Sequence, residues 1–92
     1  MKAVKVHEVG GPEVLRLEDT PIPFPGRGEV LIEVHAASLN ATDVKLLRAD
    51  LSYQHMPQYS MTPGFDLAGS VVELGENIKH IRIGDNVYGQ AA

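Results

Sequence analysis

Two tyrosines stand close together in a segment without regular periodicity, between residues 51 and 63. Tyr53 and Tyr59 each carry a phenol, which can donate a hydrogen bond to a carbonyl oxygen while negative charge develops on it. A long, aromatic loop in a small domain is typical of a binding surface. The alternative is that the rings shield the core while their hydroxyls stay in water, which is the commoner role for a single tyrosine.

Metal chemistry has little support in the side chains. The sequence contains no cysteine, which excludes disulfides, thiolate nucleophiles and cysteine-based zinc sites. The histidines lie at positions 7, 35, 55 and 80, without the short spacing that a metal site requires. We therefore predict solvated or strand-face histidines and no bound metal.

Two further chemistries are disfavoured by the motifs. Gly26 and Gly28 suggest a dinucleotide-binding fingerprint, but Leu31 stands where the third glycine belongs. A strand pattern also follows this pair, whereas a phosphate site needs a helix N-terminus there. A turn is the better interpretation. No Gly-x-Ser-x-Gly motif occurs, so acyl transfer has no support.

The composition indicates one small, acidic, globular domain. The 92 residues are 43 % hydrophobic and 22 % charged, with a mean hydropathy of −0.08, which argues against disorder and against a membrane protein. Eight Lys and Arg against twelve Asp and Glu give a net charge of −4, which disfavours nucleic acid and anionic membrane surfaces as partners. The chain begins with an alternating pattern and not with a secretory apolar run, so we expect a cytoplasmic protein.

Alternation of apolar and polar residues predicts short strands joined by turns. The pattern covers Lys2 to Glu18, Glu29 to Ser38 and Phe65 to Leu74, and one more strand begins at Asn86. Between these lies a proline-rich stretch, residues 20–26, which predicts an extended connector. Short strands, frequent turns and one helix predict an all-β domain, a partly open and irregular β-barrel.

Three details of these strands can be predicted from residue type. Gly10 and Gly11 are expected to supply the positive φ of a tight hairpin connection. Gly69, inside a strand pattern, marks a bulge or a close backbone approach. One face of the second pattern is expected to be core, and it consists of Val30, Ile32, Val34 and Ala36.

The period changes after Ser38. Val44, Leu47 and Leu51 have helical spacing, which predicts a short helix from about residue 42 to 49. Asn40 or Thr42 can cap this helix, with Asp43 in the first turn near the positive end of the helix dipole.

Five motifs follow one another in a recognisable order. They are Gly10-Gly11-Pro12-Glu13-Val14-Leu15, Pro25-Gly26-Arg27-Gly28-Glu29-Val30-Leu31-Ile32, Asn40-Ala41-Thr42-Asp43-Val44-Lys45, Pro63-Gly64-Phe65-Asp66-Leu67-Ala68-Gly69 and Gly84-Asp85-Asn86-Val87-Tyr88-Gly89. Over essentially the whole chain, this order resembles the N-terminal, GroES-like domain of the medium-chain dehydrogenase/reductase superfamily, and within it the zinc-independent quinone oxidoreductase branch. The resemblance implies that residues 1–92 are the GroES-like, N-terminal part of a substrate domain.

The departures from the zinc-containing alcohol dehydrogenases of the superfamily are informative. Those enzymes place a cysteine where this chain has Asn40-Ala41, and Gly-His-Glu where it has Gly64-Phe65-Asp66. Both zinc ligands are missing, which agrees with the prediction of no metal. Family enzymes also continue into a dinucleotide-binding domain, which we expect to be absent from this chain.

The resemblance implies a cofactor site at the start of the predicted helix. The asparagine of this motif lies at the nicotinamide end of the cleft in the branch, so Asn40 would orient a cofactor or a carbonyl oxygen; helix capping is the alternative. Asp43 and Lys45 follow at family positions of the cofactor site, the alternatives being a dipole-favoured Asp and a solvated Lys. Tyr53 or Tyr59 would polarise the substrate oxygen.

The implied reaction is NADPH-dependent hydride transfer to a quinone or an α,β-unsaturated carbonyl compound, with NADPH held mainly by a domain outside this chain. The alternative is a stand-alone module that binds a protein or its own copy without catalysis. The strand beginning at Val87 and Tyr88 is expected to leave an unpaired edge. We therefore expect self-association; the other partner that the resemblance implies is a Rossmann domain.

Overall fold

The computed structural model describes residues 1–48 and 61–91. Its regular elements are β1 (Lys2–Val6), a 3-10 turn (Pro12–Val14), β2 (Leu15–Asp19), β3 (Val30–Ser38), α1 (Ala41–Leu47), β4 (Asp66–Leu74) and β5 (Asn86–Gln90). Strands thus predominate and one short helix accompanies them, which confirms the predicted all-β class. The chain divides into two compact units: a hairpin unit, residues 1–21 and 39–64, and a sheet unit, residues 22–38 and 65–92.

In the hairpin unit, β1 and β2 pair antiparallel as predicted. Lys2 lies opposite Asp19 and Val6 opposite Leu15. The Nζ atom of Lys2 lies 2.9 Å from Oδ2 of Asp19. Both side chains are exposed, so this ion pair contributes little to stability. The pairing itself follows from the period-two alternation, which gives each strand one face toward a core.

The connection between β1 and β2 differs from the predicted tight turn. Gly11 has a negative φ of −92°, and the positive-φ glycines of the described residues are Gly28, Gly64 and Gly84. The prediction for Gly10 and Gly11 is therefore wrong. The reason is that a 3-10 turn beginning at Pro12, whose ring presets a helical φ, reverses the chain instead.

Glu13 stabilises this connection through backbone hydrogen bonds. Its Oε1 atom accepts the N–H of Gly11 at 3.0 Å. Hydrogen bonds from its own backbone N–H and from that of Gly11 hold the pKa of the Glu13 carboxyl below its ordinary value.

The core of the hairpin unit joins α1 to the hairpin. Val6, Val14 and Leu47 are buried together, and Met61 packs against them. Val6 and Met61 also exchange backbone hydrogen bonds of 2.8 and 3.1 Å. The predicted helix is confirmed from residue 42 to Leu47, and residues 49 and 51, on which the rest of that prediction depends, lie outside the described residues.

The sheet unit contains β3, β4 and β5 in that order, all antiparallel. The predicted core face of β3 is only partly right: Val30 and Ile32 are half-buried, whereas Val34 is 53 % exposed and Ala36 is exposed. The register shifts between Leu31 and Ile32 and again between Val34 and Ala36. Each shift interrupts the two-residue period, so the C-terminal half of β3 does not bury Val34 and Ala36 as the alternation predicts.

Gly69 confirms the predicted close backbone approach. It pairs with Val34 at the second register shift, and a Cβ atom there would collide with the backbone carbonyl oxygen of Glu33. Val71, two residues further along β4, is 1 % exposed and forms the buried centre of the sheet unit.

The remaining segments agree with the turn pattern. Residues 20–26 form no strand, as the prolines predict, and Gly84 (φ 96°) precedes β5. Within the described residues, neither sheet closes on itself, since β5 pairs with β4 alone. In the same part of the chain no helix is long and apolar enough to cross a bilayer.

Candidate functional site

Two of the predicted site residues, Asn40 and Asp43, hydrogen-bond to each other at the start of α1. Asn40 immediately precedes the helix and is exposed. Its backbone N–H donates to Oδ2 of Asp43 at 2.8 Å, and its carbonyl oxygen accepts the N–H of Asp43 at 3.0 Å. This reciprocal pair has the form of a capping interaction, in which the acidic side chain three residues into the motif satisfies a backbone donor at the helix start.

Asp43 has a second partner that sequence reasoning missed. Its Oδ1 atom accepts the backbone N–H of Gly64 at 2.9 Å. The residue is only 5 % exposed, so the two N–H donors and the positive end of the helix dipole offset the cost of burying a carboxylate. Asp43 thereby joins α1 to the segment that precedes β4. The available signal was Pro63-Gly64, because Gly64 adopts a φ of 100° that favours glycine.

An apolar cavity of about 380 Å³ lies beside this carboxylate. Its lining consists of Val4, Pro12, Leu15, Leu39, Asp43, Val44, Leu47 and Pro63. Asp43 is the one charged residue among them, and both of its oxygens already accept backbone hydrogen bonds. Asn40 is not in this lining, so the cavity and the exposed amide are separate features of the hairpin unit.

Lys45 follows Asp43 by two residues in α1 and is half-buried. Together with Arg48, Ala41 and Val44 it lines a second cavity of about 440 Å³. Lys45 and Arg48 both carry positive charge, and the charge of Arg48 also helps to lower the pKa of the Glu13 carboxyl. Arg48 was not singled out by the sequence, and the role of Lys45 in cofactor binding stays a prediction.

The remaining candidates are two tyrosines and the histidines. Tyr53 and Tyr59 lie outside the described residues, so their predicted contact with substrate stays a prediction. His7 Nε2 lies 2.7 Å from Oε2 of Glu18, and His35 Nε2 lies 3.3 Å from Oγ of Ser70. Across the described ranges, no group of three metal-ligating side chains occurs. Metal analysis of the purified protein is the check on the predicted absence of zinc.

The chain matches one protein family and several known proteins. The family model of the alcohol dehydrogenase GroES-like domain matches residues 26–92. Human quinone oxidoreductase is 39 % identical over 89 residues, which cover 96 % of this chain and 26 % of that protein.

Solved structures give the same result for the fold. The human synaptic vesicle membrane protein VAT-1 homolog-like protein superposes with a TM-score of 0.90 at 34 % identity, covering 98 % of this chain and 28 % of that one. Escherichia coli quinone oxidoreductase complexed with NADPH superposes with a TM-score of 0.89 at 29 % identity, covering 100 % of this chain and 28 % of that one. The chain therefore spans about a quarter of the length of the relatives that it matches.

Proposed function

Because the chain belongs to the family of the alcohol dehydrogenase GroES-like domain, we propose that it is the N-terminal part of the substrate domain of a longer, zinc-independent oxidoreductase. The proposed reaction is the NADPH-dependent reduction of quinones or of α,β-unsaturated carbonyl compounds. The similarity to human quinone oxidoreductase over 96 % of the chain supports the reaction class. The similarity to an enzyme solved with NADPH supports the choice of cofactor.

The observation that carries this proposal is the fixed position of Asn40. Its side chain belongs to an exposed residue, while its backbone is held by the buried carboxylate of Asp43, which also holds Gly64. The N–H and the C=O of Asn40 both hydrogen-bond to Asp43, which limits the positions that the amide can reach. An orienting group requires such preorganisation. Asp43 therefore contributes to the cofactor site by holding Asn40 in place.

The described residues fit one end of a nicotinamide dinucleotide. The amide of Asn40 can donate to and accept from the carboxamide of the nicotinamide or the oxygen of a substrate. Lys45 and Arg48 add positive charge on the same helix. No strand, glycine-rich turn and helix follow one another in the described elements in the way that a pyrophosphate site needs. When bound, NADPH supplies the hydride.

The remaining roles in the proposal belong to residues named from the sequence. Tyr53 or Tyr59 donates a hydrogen bond to the substrate oxygen as it gains charge. The other partner in the longer protein is a Rossmann domain that holds most of the cofactor, and the location is the cytoplasm. A second candidate function is a module that binds a protein or its own copy without catalysis; it is supported by strand β5, which pairs with β4 alone among the described residues.

The test is an assay of a longer form of the protein that includes a nucleotide-binding domain. We expect NADPH oxidation that depends on an added quinone or enone and that continues after treatment with a chelator. The matched control is the same protein without the electron acceptor. A folded longer form that binds NADPH but reduces no member of either substrate class would contradict the proposal.

A further inference from the structure

The connection between β1 and β2 also holds the C-terminal end of α1. The backbone N–H of Gly10 donates to the carbonyl oxygen of Leu47 at 3.0 Å. Carbonyl groups at the end of a helix have no partner within the helix, so this bond satisfies one of them. The side chain of Leu47 is buried and packs with Val6 and Val14. The last residue of α1 is therefore fixed by its backbone and by its side chain.

Position 10 requires a glycine for reasons of space. Gly10 is not among the glycines with a positive φ, yet an added Cβ atom there would lie 2.5 Å from Cγ1 of Val14. Val14 is buried, and a β-branched side chain has little freedom at χ1. A methyl group at position 10 must therefore displace either the connection or Val14, and both contact Leu47.

The neighbouring glycine does not have this restriction. An added Cβ atom at Gly11 would lie 2.7 Å from Oε2 of Glu13. This oxygen is the end of a flexible, exposed side chain, which can move without any change in the backbone. A methyl group at position 11 therefore leaves the bond between Gly10 and Leu47 in place.

Helix α1 is held at two points. At Asp43, the Oδ1 atom accepts the N–H of Gly64 at 2.9 Å, and at Leu47 the carbonyl oxygen accepts the N–H of Gly10. The two points are four residues apart, about 6 Å along the helix axis. A short helix held at one point can pivot about it, whereas a second point prevents this rotation.

A displacement at the C-terminal end of α1 reaches Asn40. The N–H and the C=O of Asn40 both hydrogen-bond to Asp43, so Asn40 moves with the helix. If α1 pivots about Asp43, a shift of about 1 Å at Leu47 moves Asn40 by a similar distance in the opposite direction, because both lie about one turn from the pivot. A misplacement of about 1 Å can lower the rate of a reaction by about 100-fold.

We propose that Gly10 is a positioning residue, which fixes Asn40 through α1. This inference rests on the function proposed above, in which Asn40 orients the cofactor or the substrate. The glycine at position 10 lets the connection approach Val14 and bond to Leu47, and the bond prevents the helix from pivoting about Asp43. The first of the five sequence motifs, which begins at Gly10, thereby contributes to the reaction from outside the site.

Gly10→Ala and Gly11→Ala form a matched pair for the test, because each adds one methyl group to the same connection. Both are made in the longer form that includes a nucleotide-binding domain. We expect Gly10→Ala to lower kcat for reduction of the quinone or enone by about tenfold or more. Gly11→Ala should stay within about twofold of the wild type, and the dissociation constant of NADPH should change by about twofold or less in both variants.

A double-mutant cycle with Asn40→Ala distinguishes positioning from a general loss of stability. If Gly10 acts through the amide of Asn40, Gly10→Ala has little further effect on kcat once that amide is removed, so the two effects are not additive. Loss of folded protein would lower kcat by the same factor in both backgrounds. If Gly10→Ala does not fold, Val14→Ala replaces it in the cycle, because it removes part of the packing against Leu47.

Crystal structures of the two glycine variants measure the displacement without an assay. We expect the Cα atom of Asn40 in Gly10→Ala to move by about 0.5 Å or more relative to β1 and β2, a shift that an oriented site does not tolerate. In Gly11→Ala it should stay in place. An unmoved Asn40 in Gly10→Ala would overturn the inference.

The activity measurements separate failure of this inference from failure of the proposed function. A wild-type longer form that reduces neither substrate class contradicts the proposed function, and the inference with it. An active wild type with equal kcat in Gly10→Ala and Gly11→Ala contradicts the inference alone. Additive effects of Gly10→Ala and Asn40→Ala on kcat would also overturn it, since Gly10 would then not act through Asn40.

Discussion

The two alternative roles of Asn40, orienting a ligand and capping α1, can be separated by one pair of substitutions. Asn40→Ala keeps the backbone N–H that donates to Asp43 and removes only the amide. If the amide orients cofactor or substrate, turnover of the longer enzyme should fall by about tenfold or more, which corresponds to about 1.4 kcal/mol of transition-state stabilisation. If the side chain only caps the helix, the loss should be about 1 kcal/mol of stability with turnover little changed.

Asn40→Ser is the matched control, because serine is an equally good cap without an amide. The melting temperature and the steady-state rate are measured on both variants. An orienting amide predicts that both variants lose turnover. A side chain that only caps the helix predicts that both keep their turnover and that only Asn40→Ala loses stability. Full turnover in Asn40→Ser would contradict the orienting role.

Gly69 is the residue where an added methyl group should be most costly in the sheet unit. A Cβ atom would meet the backbone carbonyl of Glu33, and backbone cannot move aside as the end of a side chain can. We expect Gly69→Ala to lower the free energy of unfolding in urea by about 2 kcal/mol or more. Gly89→Ala on the neighbouring strand is the control, since nothing lies within 4 Å of its added Cβ atom, and it should change stability by about 0.5 kcal/mol or less. Equal effects of the two substitutions would contradict the close approach.

Residue type predicts some of these features and not others. The close approach at Gly69 is predictable because glycine weakens a strand interior and is found there mainly at a bulge or where another backbone comes near. The pair Asn40 and Asp43 is also visible in the sequence, because a capping motif is local. The bond from Gly64 to Asp43 is not visible, since it joins residues 21 positions apart, and no local pattern specifies such a contact.

At the scale of elements, the carboxylate of Asp43 connects α1 with the segment before β4. In Asp43→Asn one of the two backbone N–H donors, from Asn40 or Gly64, must face an amide NH₂ group in place of an oxygen. A buried donor left without an acceptor costs about 1–3 kcal/mol. Since both bonds are part-buried, we expect the free energy of unfolding to fall by about 1 kcal/mol or more. Faster amide exchange at Gly64 or Asn40 should identify which bond is lost.

Asp85→Asn is the control for that substitution. Asp85 is exposed and accepts one backbone N–H, from Arg82 at 2.9 Å, and asparagine keeps one oxygen for it. Its effect should be about 0.5 kcal/mol or less. If Asp43→Asn is no more destabilising than this control, the carboxylate does not hold the two segments together.

The elements themselves are predictable because the strand period is local. The alternation predicts β3 and β4 to within one residue at each end and predicts a hairpin over Lys2 to Glu18, where β1 and β2 lie. The prolines between β2 and β3 predict the connector. The prediction that is wrong, the core face of β3, depends on the neighbouring strand. The exposed half of β3 follows from register shifts against β4, and register is a property of two strands that neither one specifies alone.

At the scale of the whole molecule, the order of the five motifs indicates the family and the fold. The resemblance to the GroES-like domain of the medium-chain dehydrogenases is confirmed by a family match over residues 26–92. Since the chain covers 26 % of the length of human quinone oxidoreductase, the proposed reaction belongs to a longer molecule, and the share of cofactor binding that lies in this chain can be measured.

The last prediction is that this chain alone binds NADPH with a dissociation constant in the millimolar range or weaker, about −4 kcal/mol or less of binding free energy. The described residues offer an amide at Asn40 and cations at Lys45 and Arg48. The turn between β3 and α1 contains no glycine, and the N–H of Asn40 within it already donates to Asp43, so this turn does not hold a pyrophosphate as a glycine-rich turn does. Calorimetric titration or cofactor fluorescence measures the affinity, with Asn40→Ala as the control for any residual binding at the nicotinamide end. Micromolar affinity would show that this chain itself carries the dinucleotide site, and the proposed division between a substrate domain and a cofactor domain would then be wrong.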